Sequence, residues 1–348
     1  MEPVETRLIA KLKSGIEELS PASFAMVMAT GIVSIASRLI GFQAIATTLF
    51  WLNLILFICL LLLTAGRIIH FPRRFFSNMS DHAAGVGYLT LVAATDIVGI
   101  QFIIFRNGVG TALVLFVCSI VLWLILMYAV FAALIAGAEK PDLRGGINGI
   151  WLISTVSTES ISILGSMLVN AFPDHREPLL FFSLLMFLMG CMLYLLIIPL
   201  LFYRILFFRL TPEEFSGPYW INMGAAAAAT LAGAEIVMNS PGSAFLTGIL
   251  PFTTGFTLSF WAIATWWIPL LLVLDAWRYF SRGRTLFHDP GDWGMVFPIG
   301  MYTACTYQLS QAAGIEFLLD IPRISIYAAL TAWTLTFLGS LRSIKRLF

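Results

Sequence analysis

Three carboxyl side chains, Asp96, Glu159 and Glu235, stand inside long apolar runs, where an ionisable group is costly and usually put to use. No Lys, Arg or His shares their depth, and His70, His82, His175 and His288 all fall in loops, so an imidazole relay across the middle of the molecule is not expected. Without a cationic partner a desolvated carboxyl favours its neutral acid. A neutral acid can donate a hydrogen bond to an oxyanion and can carry a proton with it. It can equally serve structure alone, by bonding to a neighbouring helix. A second set of groups is hydroxylic. A small residue followed by threonine recurs at Ala29-Thr30, Ala94-Thr95, Ser157-Thr158, Ala229-Thr230 and Cys305-Thr306, in steps of 65, 63, 72 and 76 residues, with Thr303 competing for the fifth position. Uncharged hydroxyls arranged in a ring would coordinate a small anion weakly and let it pass.

Catalytic patterns are missing. There is no His-Glu-x-x-His and no Gly-x-Ser-x-Gly. Glu159 with Ser157 and Ser160 is the nearest thing to a catalytic cluster, and it lacks a base. Cys59, Cys118, Cys191 and Cys305 lie far apart, each within an apolar run, so they read as packed thiols rather than metal ligands or a disulfide framework. No enzyme activity, metal or cofactor is expected.

The elements that must position these groups are membrane helices. Of 348 residues, 59% are hydrophobic and 11% charged, against about 25% charged in soluble domains. A soluble fold is excluded, and the dispersed basic residues with a net charge of +1 leave no footprint for nucleic acid. Residues 1–20 read as an amphipathic helix on the cytoplasmic membrane surface, with Leu8, Ile9, Leu12, Ile16 and Leu19 on one face. Residues 21–348 read as a transport domain of ten transmembrane helices, at about 22–40, 45–66, 84–105, 110–136, 149–170, 179–203, 218–238, 250–277, 293–314 and 324–341. Of the Lys and Arg residues, only Arg38, Arg106, Arg176 and Arg323 fall on one side of this arrangement. That bias places both termini in the cytoplasm of a multi-pass cell-membrane protein.

The spans alternate in kind. Even-numbered spans are bulky, as in LILFICLLLL, and odd-numbered spans are rich in small and hydroxyl residues, as in NMGAAAAATLAGAE. Small residues let helices approach closely, so the odd spans are expected inside and the even ones as an outer sleeve. Gly31, Gly99, Gly165, Gly233 and Gly300 fit that close packing. The spacing of the threonines then predicts an all-α membrane fold: five helical hairpins about an axis normal to the membrane, enclosing a narrow central pore lined by Thr30, Thr95, Thr158, Thr230 and Thr306.

The segments PASFAMVMATGIVSIA (21–36), INMGAAAAATLAGAE (221–235) and FPIGMYTACTYQL (297–309), the last following Trp293, resemble the tellurite-resistance/dicarboxylate transporter family. That family includes plant guard-cell slow anion channels, fungal malate permeases and sulfite efflux pumps. The resemblance covers nearly the whole chain. It implies ten helices in five hairpins around a pore, often as a homotrimer, and passage of small anions such as C4-dicarboxylates. It also puts on Phe297, within FPIG, the role of a phenylalanine that plugs and gates the pore. On this footing the leading expectation is anion transport, with proton coupling through Asp96 or Glu159. The alternatives are a passive channel gated by Phe297, a proton or cation pathway through Asp96, Glu159 and Glu235, and an intramembrane enzyme.

Overall fold

The computed structural model describes residues 13–281 and 290–347, and among them every regular element is helical. Ten long helices carry the fold: α1 Ala25–Ile40, α2 Gln43–His70, α3 Thr90–Arg106, α4 Val109–Ala136, α5 Ile153–Leu168, α6 Arg176–Phe207, α7 Ile221–Asn239, α8 Leu250–Ser281, α9 Trp293–Ala313 and α10 Asp320–Leu347. Eight of them, several counted together with the 3-10 turns that flank them, are long and apolar enough to cross a membrane, with α1 and α9 the exceptions. Helix α1 has 16 residues and no 3-10 turn to lengthen it, and α9 trades apolar residues for Tyr302, Thr303, Thr306, Tyr307 and Gln308. Of the surface helix expected over 1–20, residues 1–12 lie outside the described residues, and 13–17 are helical.

Consecutive helices pair because the chain reverses quickly after an odd helix. Helices α1 and α9 end on Gly41 (φ +100°) and Gly314 (φ +67°), and α3 ends on Asn107 (φ +49°), residue types that tolerate the left-handed conformation. Only two residues separate α1 from α2 and α3 from α4. Each even helix packs on the odd helix before it and also on the odd helix after it, and α10 reaches back to α1. The odd helices pack on one another in order, α1 on α3, α3 on α5, α5 on α7, α7 on α9 and α9 on α1, so their contacts close into a circuit. Neighbours in the circuit run parallel. Gly87 meets Ala22 where Gly31 meets Ile97 further along, and Gly224 meets Pro298 where Glu235 meets Gln308.

Burial follows the alternation. Every residue of α5 from Ile153 to Ser166 is buried, as is every residue of α7 from Ile221 to Ile236. The even helices turn Leu62, Val114, Tyr128, Leu196, Phe252 and Phe280 outward. Cys59 and Cys118 are exposed on even helices, so only Cys191 and Cys305 are packed thiols, and all four are free. The expectation of four buried cysteines fails because the outer sleeve is apolar on its exterior as well as its interior.

Glycine is what allows the circuit to close. A Cβ on Gly31 would stand 2.3 Å from Ile97 of α3, one on Gly99 2.7 Å from Leu164 of α5, and one on Gly300 2.9 Å from Ile32 of α1. Gly165 and Gly233 make the same kind of approach to even helices, at Ser183 and Thr257. A 3-10 turn precedes four of the odd helices, at Gly85–Leu89, Gly149–Leu152, Gly217–Trp220 and Pro290–Asp292. These turns nest against one another, with Gly149 against the Pro218 carbonyl and Gly217 against the Gly291 carbonyl.

Two buried arginines staple this end. Arg67 donates to the Glu17 carbonyl and to the Tyr88 hydroxyl, each at 3.2 Å. Arg204 donates to the Arg144 carbonyl at 2.9 Å and to the Tyr219 hydroxyl. Beside Arg204, Thr211 and Glu214 bond reciprocally across a turn. The Thr211 N–H, and then Arg144, hold the Glu214 carboxyl below its ordinary range.

Replacing Gly233 by Leu should force Thr257 aside and cost about 1–3 kcal/mol of stability. Gly255→Leu, at a position with open space around it, should leave the thermal midpoint of the purified protein near the wild-type value. Equal shifts for the two variants in a thermal unfolding assay would contradict the packing account.

Candidate functional site: a cavity between the odd helices

A cavity of about 30 Å3 lies between the five odd helices, room for roughly two water molecules. Each odd helix contributes to its wall in nearly the same register. Two residues after the repeat threonine stand Ile32, Ile97, Ser160 and Gln308, and five residues after it stand Ile35, Ile100, Ile163 and Glu235. Two residues before it, Val156, Ala228 and Ala304 join the wall, with Leu39, Ile104, Met167 and Leu231 beyond them. Phe297 and Met301 of α9 border the same space. The wall is therefore mostly isoleucine and other apolar residues, with Ser160, Glu235 and Gln308 as its polar members.

The threonines do not line it. In a helix, residues two apart differ by about 200° in direction, so a wall at two before and two after the threonine turns the threonine itself away. Thr95, Thr158, Thr230 and Thr306 each donate to the carbonyl four residues earlier, at 2.7–2.9 Å. Three of the five also accept an indole N–H from the even helix that overlaps them: Trp333 to Thr30, Trp123 to Thr158 and Trp261 to Thr306, at 2.9–3.0 Å. Thr303 bonds to the Ile299 carbonyl at 3.0 Å and to Ser325 of α10 at 2.8 Å, again outward. The expected ring of pore hydroxyls is thus corrected to a set of joints between odd and even helices. Hydroxyls in apolar surroundings take the nearest acceptor, and here that is their own helix.

The three carboxyls have three different settings. Asp96 is fully buried on α3, and its Oδ2 accepts the Ser160 hydroxyl at 2.7 Å. It does not itself border the cavity, whereas Ser160 does. Glu159 of α5 points the other way, towards α6, where Gly190 makes room for it; a Cβ at Gly190 would stand 2.4 Å from Oε1. The Cys191 thiol of α6 lies beside this carboxyl, and no N–H or O–H reaches either Glu159 oxygen. Glu235 borders the cavity and accepts from Gln308 Nε2 at 2.6 Å, joining α7 to α9. The structure thus brings Asp96 and Glu235 to the cavity, one through a serine and one directly, and sets Glu159 apart. Among the described residues no group of three or more His, Cys, Asp or Glu side chains could hold a metal.

Phe297 is 2% exposed and borders the cavity on the fifth residue of α9. Pro298 follows it, so the helix lacks one backbone hydrogen bond at this point. Gly224 of α7 lies flat against the proline ring, with a Cβ position 2.7 Å from Pro298 Cγ.

The model of the voltage-dependent anion channel family matches residues 18–341. The chain belongs to that family. Similar proteins include an uncharacterized transporter of Methanocaldococcus jannaschii, 25% identical over 341 residues that make up 96% of this chain and 95% of the relative. A second uncharacterized transporter of the same organism is 26% identical, over 84% of each chain. An uncharacterized membrane protein of Mycobacterium tuberculosis is 34% identical over 151 residues, 43% of this chain and 75% of the relative. This is the anion-channel and tellurite-resistance family that the sequence resembles, and membership makes the chain a multi-pass membrane protein of the transporter and channel class.

Sequence reasoning missed Ser160 as a wall residue, Gln308 as the partner of Glu235, and the tryptophan joints. The isoleucines at two and five residues after the threonine were the available signal, because they repeat in the same register as the threonines. Thr158→Val should leave the Trp123 indole unsatisfied and cost about 1–3 kcal/mol in thermal unfolding, with ion permeability of reconstituted protein unchanged. Ile163→Ser should show the reverse, altering permeability more than stability. Altered ion selectivity in Thr158→Val would restore the threonine to the wall.

Proposed function

We propose that the chain conducts small anions across the cell membrane, along the axis of the odd helices and under the control of Phe297. In this reading all ten long helices span the bilayer as five hairpins, with both termini in the cytoplasm, and the protomers assemble as trimers. The observation that carries it is the cavity enclosed by all five odd helices and bordered by the fully buried Phe297. Family membership supports an anion as the solute. C4-dicarboxylates such as malate and related oxyanions are the substrate class we favour.

The physical argument runs from charge to gate. The odd helices start from the side that carries most of the basic residues, so their positive dipole ends and those loops attract anions to one mouth. An apolar wall binds no anion tightly, which suits rapid passage. The space beside Phe297 has room for only a couple of waters, too few to hydrate a passing ion. Pro298 and Gly224 leave α9 free to bend beside that side chain. Rotation of the phenyl ring then opens the path.

In proteoliposomes, Phe297→Ala should raise flux of malate, nitrate or chloride at least about tenfold, the effect of lowering a barrier by about 1.4 kcal/mol. A panel including succinate, sulfite and tellurite at two external pH values ranks the substrates. Unchanged anion flux, or a rise confined to cations, would defeat the reading, and cation flux abolished by amide substitution of Asp96, Glu159 and Glu235 would favour the cation pathway instead.

A further inference from the structure

Among the described residues Ser160 is the only hydroxyl in the cavity wall, and its one proton has two claimants besides the cavity. Its Oγ lies 2.7 Å from Asp96 Oδ2 and 2.9 Å from the Ser157 carbonyl. Asp96 itself is sealed behind it, with Oδ1 accepting no hydrogen bond. The Ser119 hydroxyl of α4 also reaches the Asp96 carboxyl, and it bonds to the Phe116 carbonyl at 2.9 Å, but it does not border the cavity. We propose that Ser160 is the anion-binding group of the pathway and that the proton on Asp96 decides whether it can bind. This rests on the reading of the cavity as an anion path.

The argument is one of hydrogen-bond accounting. An ionised Asp96 is acceptor-only and holds the Ser160 proton in a charge-assisted bond. Ser160 then has only lone pairs for the cavity, and a negative charge stands behind them. A neutral Asp96 donates its own O–H to Ser160 Oγ. The Ser160 proton is released from the carboxyl and turns to the stronger remaining acceptor, which is an anion in the cavity rather than the Ser157 carbonyl. One proton on a residue that never touches the solute thus converts the site from repelling to binding. Linkage makes the relation reciprocal: a bound anion holds the proton on Asp96, and loss of the proton expels the anion.

Other ionisable groups around α3 leave this pair alone. Glu159 on α5 faces Gly190 and the Cys191 thiol, Glu235 on α7 is held by Gln308, and Arg106 at the end of α3 stacks over Trp51. Arg38 at the end of α1 stacks over Phe105, and Arg67 of α2 is bonded to Glu17 and Tyr88. Cys118 of α4 is exposed on the outer face.

The test is nitrate flux into proteoliposomes across a pH series, for wild type and in a Phe297→Ala background. The KM for nitrate should rise with pH in the parent proteins. Asp96→Asn, whose amide can still donate to Ser160, should hold a low KM at every pH, and Asp96→Glu should keep a pH response. Ser160→Ala should raise KM about tenfold or more, and Ser160→Thr should restore it. Nitrate flux through Phe297→Ala, with Asp96→Asn keeping the parent pH profile or Ser160→Ala keeping the parent KM, overturns the inference and leaves the anion path standing. If no variant conducts nitrate while size-exclusion profiles match wild type, the anion path itself fails and the inference with it. Should Ser160→Ala not fold, the pH profile of Asp96→Asn decides alone.

Discussion

Everything in this molecule depends on five helices coming close enough to close a circuit while remaining parallel to one another. Parallel helices in an apolar medium gain nothing from burying hydrocarbon, since lipid is equally apolar, so contact must come from shape and from hydrogen bonds. Glycine supplies the shape, at Gly31 against Ile97, Gly99 against Leu164 and Gly300 against Ile32. Each even helix then clasps the odd helix that follows it with a side-chain hydrogen bond: Asn53 to Gln101, Trp123 to Thr158, Tyr194 to the Asn222 carbonyl, Trp261 to Thr306 and Trp333 to Thr30. The last of these joins the end of the chain to its beginning and locks the circuit shut.

That constraint explains why the polar residues of the odd helices lie where they do. A helix that packs on two odd neighbours and two even ones has one narrow strip left for the axis. Most of its hydroxyls fall on packed faces, where they meet a carbonyl or an indole, with Ser37, Thr155 and Ser166 left unpartnered. The strip facing the axis is left to isoleucine, with Ser160, Glu235 and Gln308 breaking the pattern on three different helices. A wall that is apolar except at a few points attracts an anion by the field at its mouth more than by ligands along its length. The same geometry leaves Glu159 as a buried carboxyl facing Gly190 and the Cys191 thiol on the outer sleeve.

Much of the fold was legible in the residues because it rests on composition and period. Apolar runs of membrane length marked out the helices, and the contrast between LILFICLLLL and NMGAAAAATLAGAE sorted sleeve from interior. The glycines were readable as close contacts for the same reason. Helices α1 and α9 were read as spans on the same ground, and they remain the two that length and apolarity alone do not qualify.

The residues alone determined a helical membrane protein with an alternating inner and outer class of helix and a threonine repeated once per pair. Only the tertiary structure decided which way those threonines face. Sequence spacing reports the period of a helix but not its rotation about its own axis, and a rotation of half a turn exchanges wall for joint. That rotation is set by four neighbours at once, through the tryptophans, Gly190 and Gly224, none of which lies near its partner in the chain. It placed Ser160 between the cavity and Asp96, a contact 64 residues apart in sequence that no local pattern announces.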